Sequence, residues 1–160
     1  CIIEDKYYSM EELINQMKVL LASNFDLYLK AHNFHWNITG PNFNEYHTFF
    51  GEVYKELWEA TDAIAEQIRQ LDAYAPGSLE RFEQLSLLSG AKQVPDQNGM
   101  VTELFNDNKL IIPLLKKIYN LCEEHEVIGL SNFIQDRMMA HTELAWKLKS
   151  SMGKQGKKDN

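Results

Sequence analysis

Apolar residues recur at three- and four-residue spacing through Leu13, Met17, Leu20, Leu21, Phe25, Tyr28 and Leu29, and no Gly or Pro interrupts the chain before Gly40-Pro41. A stripe of that period gives a helix one apolar face, which a soluble chain must bury against another helix or a sheet. The spacing predicts a first helix running to about Trp36. Ser9-Met10-Glu11-Glu12 has the form in which a hydroxyl and a carboxylate satisfy the free amides of a helix start. Residues 1–8 then read as an arm.

Three more stripes follow. Phe43, His47, Phe50, Tyr54, Leu57, Thr61, Ile64, Ile68 and Leu71 define a second helix over Phe43 to Asp72, closed by Ala75-Pro76-Gly77. Leu104, Leu110, Ile111, Leu114, Leu115, Ile118 and Leu121 define one over Met100 to Glu123, with a kink expected at Pro113. Leu130, Phe133, Ile134, Met138, His141, Leu144, Ala145 and Leu148 define a last one over Glu126 to Ser151. Between the second and third, Ser78 to Leu88 is a brief helix within a long connection, and 89–99 is loop. No segment alternates with period two over strand length, so the fold class is all-α.

One tight turn, one long crossover and one short turn make an up-down-down-up bundle over 9–151, ahead of a basic tail, 152–160. Ferritin-like four-helix bundles have this single long connection, although cytokine-like bundles use similar parts. At 160 residues with 44% hydrophobic content the chain buries a single real core. No apolar run is long enough to span a bilayer. Two cysteines, Cys1 and Cys122, form no CxxC, and no secretory signal is visible, so the expected setting is cytoplasmic. The net charge of −7 opposes nucleic-acid binding as the body's main task and suits attraction of cations.

Chemistry concentrates between His32 and Glu66. Residues equidistant from a hairpin turn share a height, which sets His35 opposite His47 across Gly40-Pro41. Two imidazoles on facing helices make half of a metal site. Asp62 and Glu66, at i and i+4, share a helix face and make a carboxylate half. On one straight helix His47 and Asp62 stand ~22 Å apart, too far to hold one ion. Two copies related by a two-fold axis remove the difficulty, because the histidines of one meet the carboxylates of the other and two equivalent sites result. A mixed imidazole and carboxylate set suits a first-row divalent ion such as Fe(II). Taken singly, each of these residues also fits a plainer role: an interface histidine, or a solvated acid.

The run KAHNFHWNITGPNFNEYH followed by DAIAEQIRQL closely resembles the Dps family, the miniferritins, and the likeness extends through PGSLERFEQLS and AHTELAWKLKS over most of the chain. The resemblance implies a hollow homododecamer that oxidises Fe(II), usually with hydrogen peroxide, and stores ferric mineral. It implies that His35 and His47 are ligands, that Asp62 and Glu66 come from the neighbouring subunit, and that Trp36 lines the site, with His32 near its mouth. Iron is the cofactor and cargo; no organic cofactor is implied.

Three positions depart from the family pattern. Gly51 stands where an Asp or Glu is common, so a fully occupied second iron site is not expected, and Gly51→Asp is expected to tighten a second ion. Asn132 stands where the iron-admitting pore usually has Asp, leaving Asp136. The N-terminal arm is not lysine-rich. Lys154, Lys157 and Lys158 in the tail are the candidate DNA contacts, and the competing reading is a weakly catalytic shell that binds DNA through them. An intrachain di-iron centre needs Glu-x-x-His pairs, and no Glu stands three residues before any of the five histidines. His125 and His141 are assigned structural roles and Cys122 is read as inert.

Overall fold

A computed structural model describes residues 2–153, with side chains from Met10 onward. It holds five helices: α1 (Ile2–Asn37), α2 (Phe43–Gln70), α3 (Leu79–Leu85), α4 (Gln97–Glu124) and α5 (Ile128–Ser151). Among the described residues there is no strand. None of these helices is long and apolar enough to cross a membrane.

Cross-helix pairs fix the directions. Asn24 on α1 donates to the Leu57 carbonyl and Thr61 Oγ1 on α2, both at 2.9 Å, while His35 meets His47, so α1 and α2 are antiparallel. Glu12 pairs with Lys117 and Lys30 with Asp107, so α1 and α4 are antiparallel too. Arg137 on α5 pairs with Glu56 on α2. The result is the up-down-down-up order, with α2 and α4 running the same way because the crossover carries the chain back along the bundle.

The core is the set of stripes folded together. Leu13, Met17, Leu20, Phe34, Phe50, Ile64, Ile68, Leu104, Ile111, Leu115, Ile118 and Leu148 are completely buried. Each side chain of that kind contributes roughly 1.5–3 kcal/mol relative to exposure. The crossover is tied to α1 at two points: the Leu87 N–H donates to buried Ser23 Oγ at 3.0 Å, and Phe82 packs on Phe25 with ring centroids 4.9 Å apart. Ser78 caps α3 by accepting from the Arg81 N–H, and Asp96 caps α4 by accepting from the Gly99 N–H at 2.8 Å. Satisfying these otherwise free amides is why the helices start there.

Several boundaries differ from the periodic reading. Helix α1 begins at Ile2, so Ser9 lies inside a running helix and does not start it. Nothing between Ile2 and Tyr8 is Gly or Pro, and extending a helix is far easier than nucleating one. Helix α2 stops at Gln70 because Asp72 takes a left-handed backbone, φ 62°. Helix α5 starts at Ile128, not Glu126, because Glu126 is also left-handed, φ 56°. Pro113 sits exposed within α4, and the helix continues through it. The α1–α2 turn requires glycine at Gly40: its φ is 121°, and an added Cβ would lie 2.7 Å from Gln97 Nε2.

Candidate metal centre

The helix hairpin brings His35 and His47 into direct contact. Their rings stack with centroids 3.8 Å apart and 19° between planes. His35 Nδ1–H donates to the His47 carbonyl at 2.6 Å, and His47 Nδ1–H donates to the His35 carbonyl at 2.8 Å. A carbonyl oxygen only accepts, so both protons must sit on Nδ1. With Nδ1 committed to a carbonyl, Nε2 is the nitrogen each ring has left to offer a metal. The lock follows from helix-end accounting. Helix α1 ends at Asn37, so the His35 carbonyl is one of the last four without an intrahelical amide, and His47 supplies the missing donor.

An aromatic shell surrounds the pair. His32 lies between Trp36, with ring centroids 4.1 Å apart, and Tyr54, on which it stacks at 3.8 Å and 10°. Its Nδ1 is 3.1 Å from the Tyr28 hydroxyl. Burial, and then the proximity of His35, hold the His32 pKa below the usual imidazole value. Tyr54 meets the edge of His35 with centroids 5.1 Å apart, and Tyr28 lies 5.1 Å from Trp58. Trp36 and Trp58 are 60% and 56% exposed, large apolar rings left on the α1–α2 face. The periodic reading placed Tyr28 and Tyr54 in the core stripe. Their spacing from His32 and His47, four and seven residues, was the signal that they share the site's face.

Asp62 and Glu66 lie farther down α2, both exposed, one turn and two turns beyond Trp58. With Trp58, Glu59 and Thr61, Asp62 lines an open surface depression. A single chain thus joins His35 to His47 and leaves Asp62 and Glu66 apart from them. Among the described residues no group of three or more His, Cys, Asp or Glu converges closely enough to hold a metal. Asp136 and Asn132 are exposed on the first half of α5, near the strongly exposed Ile128. Lys154, Lys157 and Lys158 lie outside the described residues.

His141 occupies a different place. It is 1% exposed, with Nδ1 2.7 Å from Asn108 Oδ1 and Nε2 3.3 Å from Arg137 Nη2. Since guanidinium only donates, Nε2 is the acceptor and Nδ1–H donates to Asn108. Arg137 in turn makes a two-pronged pair with Glu56. Burial, reinforced by Arg137, pushes the His141 pKa down to about 3. Cys122 is buried and its thiol pushed up to about 11, a poor nucleophile at neutral pH.

Residues 14–155 match the family model of the ferritin-like domain. The chain is 36% identical over 140 residues to an uncharacterized low temperature-induced protein of Nostoc, covering 86% of this chain and 78% of that one. It is 28% identical to DNA protection during starvation protein 2 of Bacillus anthracis, covering 88% and 96%. A crystal structure of the Dps protein from Vibrio cholerae O1, described as a member of a broad superfamily of ferritin-like diiron-carboxylate proteins, superposes with a TM-score of 0.87 at 25% identity over 91% of each chain. The chain belongs to the Dps branch of the ferritin-like family.

Proposed function

We propose that this protein is a miniferritin: it binds Fe(II) between two-fold-related copies, oxidises it with hydrogen peroxide or oxygen, and holds the ferric product inside a closed homododecameric shell in the cytoplasm. The observation that carries this reading is the His35–His47 lock, which ties up both Nδ1 atoms and leaves both Nε2 atoms available to a metal. His35 and His47 of one copy take the ion, and Asp62 and Glu66 of the partner copy complete its coordination and offset its charge. Trp36 beside the histidines and Trp58 one turn before Asp62, both exposed, are the apolar surface that such a pairing buries.

In this reading the residues bind and orient, and iron is the substrate. Each Fe(II) gives up one electron. A peroxide that takes two electrons from two Fe(II) leaves as water or hydroxide, and no hydroxyl radical forms. His32, packed among Trp36, Tyr54 and Tyr28 with its pKa held below the usual imidazole value by burial, lines the approach. Asp136 is assigned to the pore through which iron enters. Removal of iron and peroxide protects DNA without contact, so the tail lysines are not needed for that outcome.

Anaerobic Fe(II) titrated with hydrogen peroxide in the presence of the assembled protein tests the proposal. The expected result is oxidation of about two Fe(II) per peroxide with no trapped hydroxyl radical, and an electron-dense core inside each shell. A rate equal to that of iron in buffer would overturn it.

A further inference from the structure

Gly51 stands one turn after His47 on α2, buried against His35. A Cβ at this position would lie 3.2 Å from both Cε1 and Nδ1 of His35. The His35 ring has little room to retreat. Its Nδ1 is held at 2.6 Å by the His47 carbonyl, one face lies on the His47 ring, and Tyr54 stands at its edge. The same His47 carbonyl is the α-helical acceptor for the Gly51 N–H. The imidazole therefore reaches a helix carbonyl across the place where the next turn's side chain would project.

We infer that Gly51 is a specificity-determining residue: its missing side chain admits the His35–His47 lock and so fixes a neutral, two-nitrogen half-site for one divalent ion of the imidazole-binding class. This rests on the reading of the histidine pair as a metal half-site. Charge accounting points the same way. Two neutral imidazoles contribute nothing, and Asp62 and Glu66 from the partner contribute two negative charges, which match a single divalent ion. A second ion would leave an uncompensated double positive charge at a partly buried site. Two nitrogens with carboxylate oxygens suit Zn(II), Co(II) and Fe(II) more than Mg(II) or Ca(II). Gly51→Asp thus cannot simply add a ligand, as the spacing alone suggests. Its Cβ crowds the His35 ring, so any gain for a second ion comes with loss at the first.

The test uses Co(II) alone, added anaerobically to the assembled protein, with visible absorption reporting occupancy and coordination geometry. Wild type is expected to saturate at one Co(II) per chain. Gly51→Ala adds and removes no ligand and favours helix, so its fold should hold, yet it is expected to bind Co(II) about tenfold more weakly, the scale of losing a ligand's orienting contact. Gly51→Asp is expected to weaken the first ion as well. Gly51→Ala binding as tightly as wild type, wild type taking two ions per chain, or Gly51→Asp keeping the first and adding a second would each overturn the inference. The shell carrying His35→Ala and His47→Ala separates the two levels. If it too binds Co(II) like wild type, the metal-centre reading fails. If it loses Co(II) while Gly51→Ala does not, only the role of Gly51 fails.

Discussion

Replacing His35 and His47 together by Ala is expected to slow peroxide-dependent Fe(II) oxidation by about two orders of magnitude or more while leaving the shell assembled. Losing only an orienting contact of a metal-bound histidine costs ten- to a hundredfold, so losing both ligands must cost at least that. Assembly should persist because neither ring is buried in the hydrophobic core; both are half-exposed beside the turn of the α1–α2 hairpin. What the fold loses is the pair of Nδ1–H donations to backbone carbonyls. The His35 carbonyl stays near enough to the surface for water to replace its donor. Stopped-flow absorbance of ferric iron with gel filtration in parallel checks both halves. Unchanged oxidation in an intact shell would remove the site.

Acid is expected to weaken the bundle through His141, and by a comparable energetic scale. Its folded pKa of about 3 lies below the ordinary imidazole value of 6.5. The unfolded chain therefore takes up the proton first. Stability is full above about pH 6.5 and declines as pH falls from there toward 3, below which both states are protonated and the slope ends. Each pH unit within that window costs about 1.4 kcal/mol, so the drop from pH 7 to 4.5 is about 3 kcal/mol per chain from this group. The cause is local: protonation puts a hydrogen on Nε2, facing the Arg137 guanidinium in a dry interior. His141→Gln keeps a donor toward Asn108 and an acceptor toward Arg137. It should be less stable at pH 7 but flatter between pH 6.5 and 4. Denaturant unfolding at several pH values measures this, and an equal acid loss in both proteins would contradict it.

The large features of the fold were legible because they follow from one-dimensional periodicity. Leu13 to Leu29 could only be a helix with a buried face, and the long connection after Pro76 could only be a crossover. Even the meeting of His35 with His47 follows from counting outward from the Gly40-Pro41 turn. What spacing cannot carry is how closely two helices approach and which way a ring then turns. The contact of Gly51 with His35, the Nδ1 lock, and the placing of His32 between Trp36 and Tyr54 depend on both. The His141 network was missed for a different reason. Asn108 falls on the apolar stripe of α4 between Leu104 and Ile111, and Arg137 stands one turn before His141 on α5. Polar residues on an apolar stripe were the available sign, but no spacing tells which of them meet across the bundle. At the helix ends, Asp72 and Glu126 adopt left-handed backbone that their residue types tolerate but do not announce.

In the proposed centre neither half-site works without a second copy, and shells assembled from two defective chains test this. One chain carries His35→Ala and His47→Ala; the other carries Asp62→Asn and Glu66→Gln. Each shell alone should be inactive. Unfolded together and reassembled in equal amounts, about half the two-fold pairs are mixed, and each mixed pair recovers one complete site of two. The predicted specific oxidation rate is about a quarter of wild type. Mixed shells as inactive as their parents would contradict a site shared between chains.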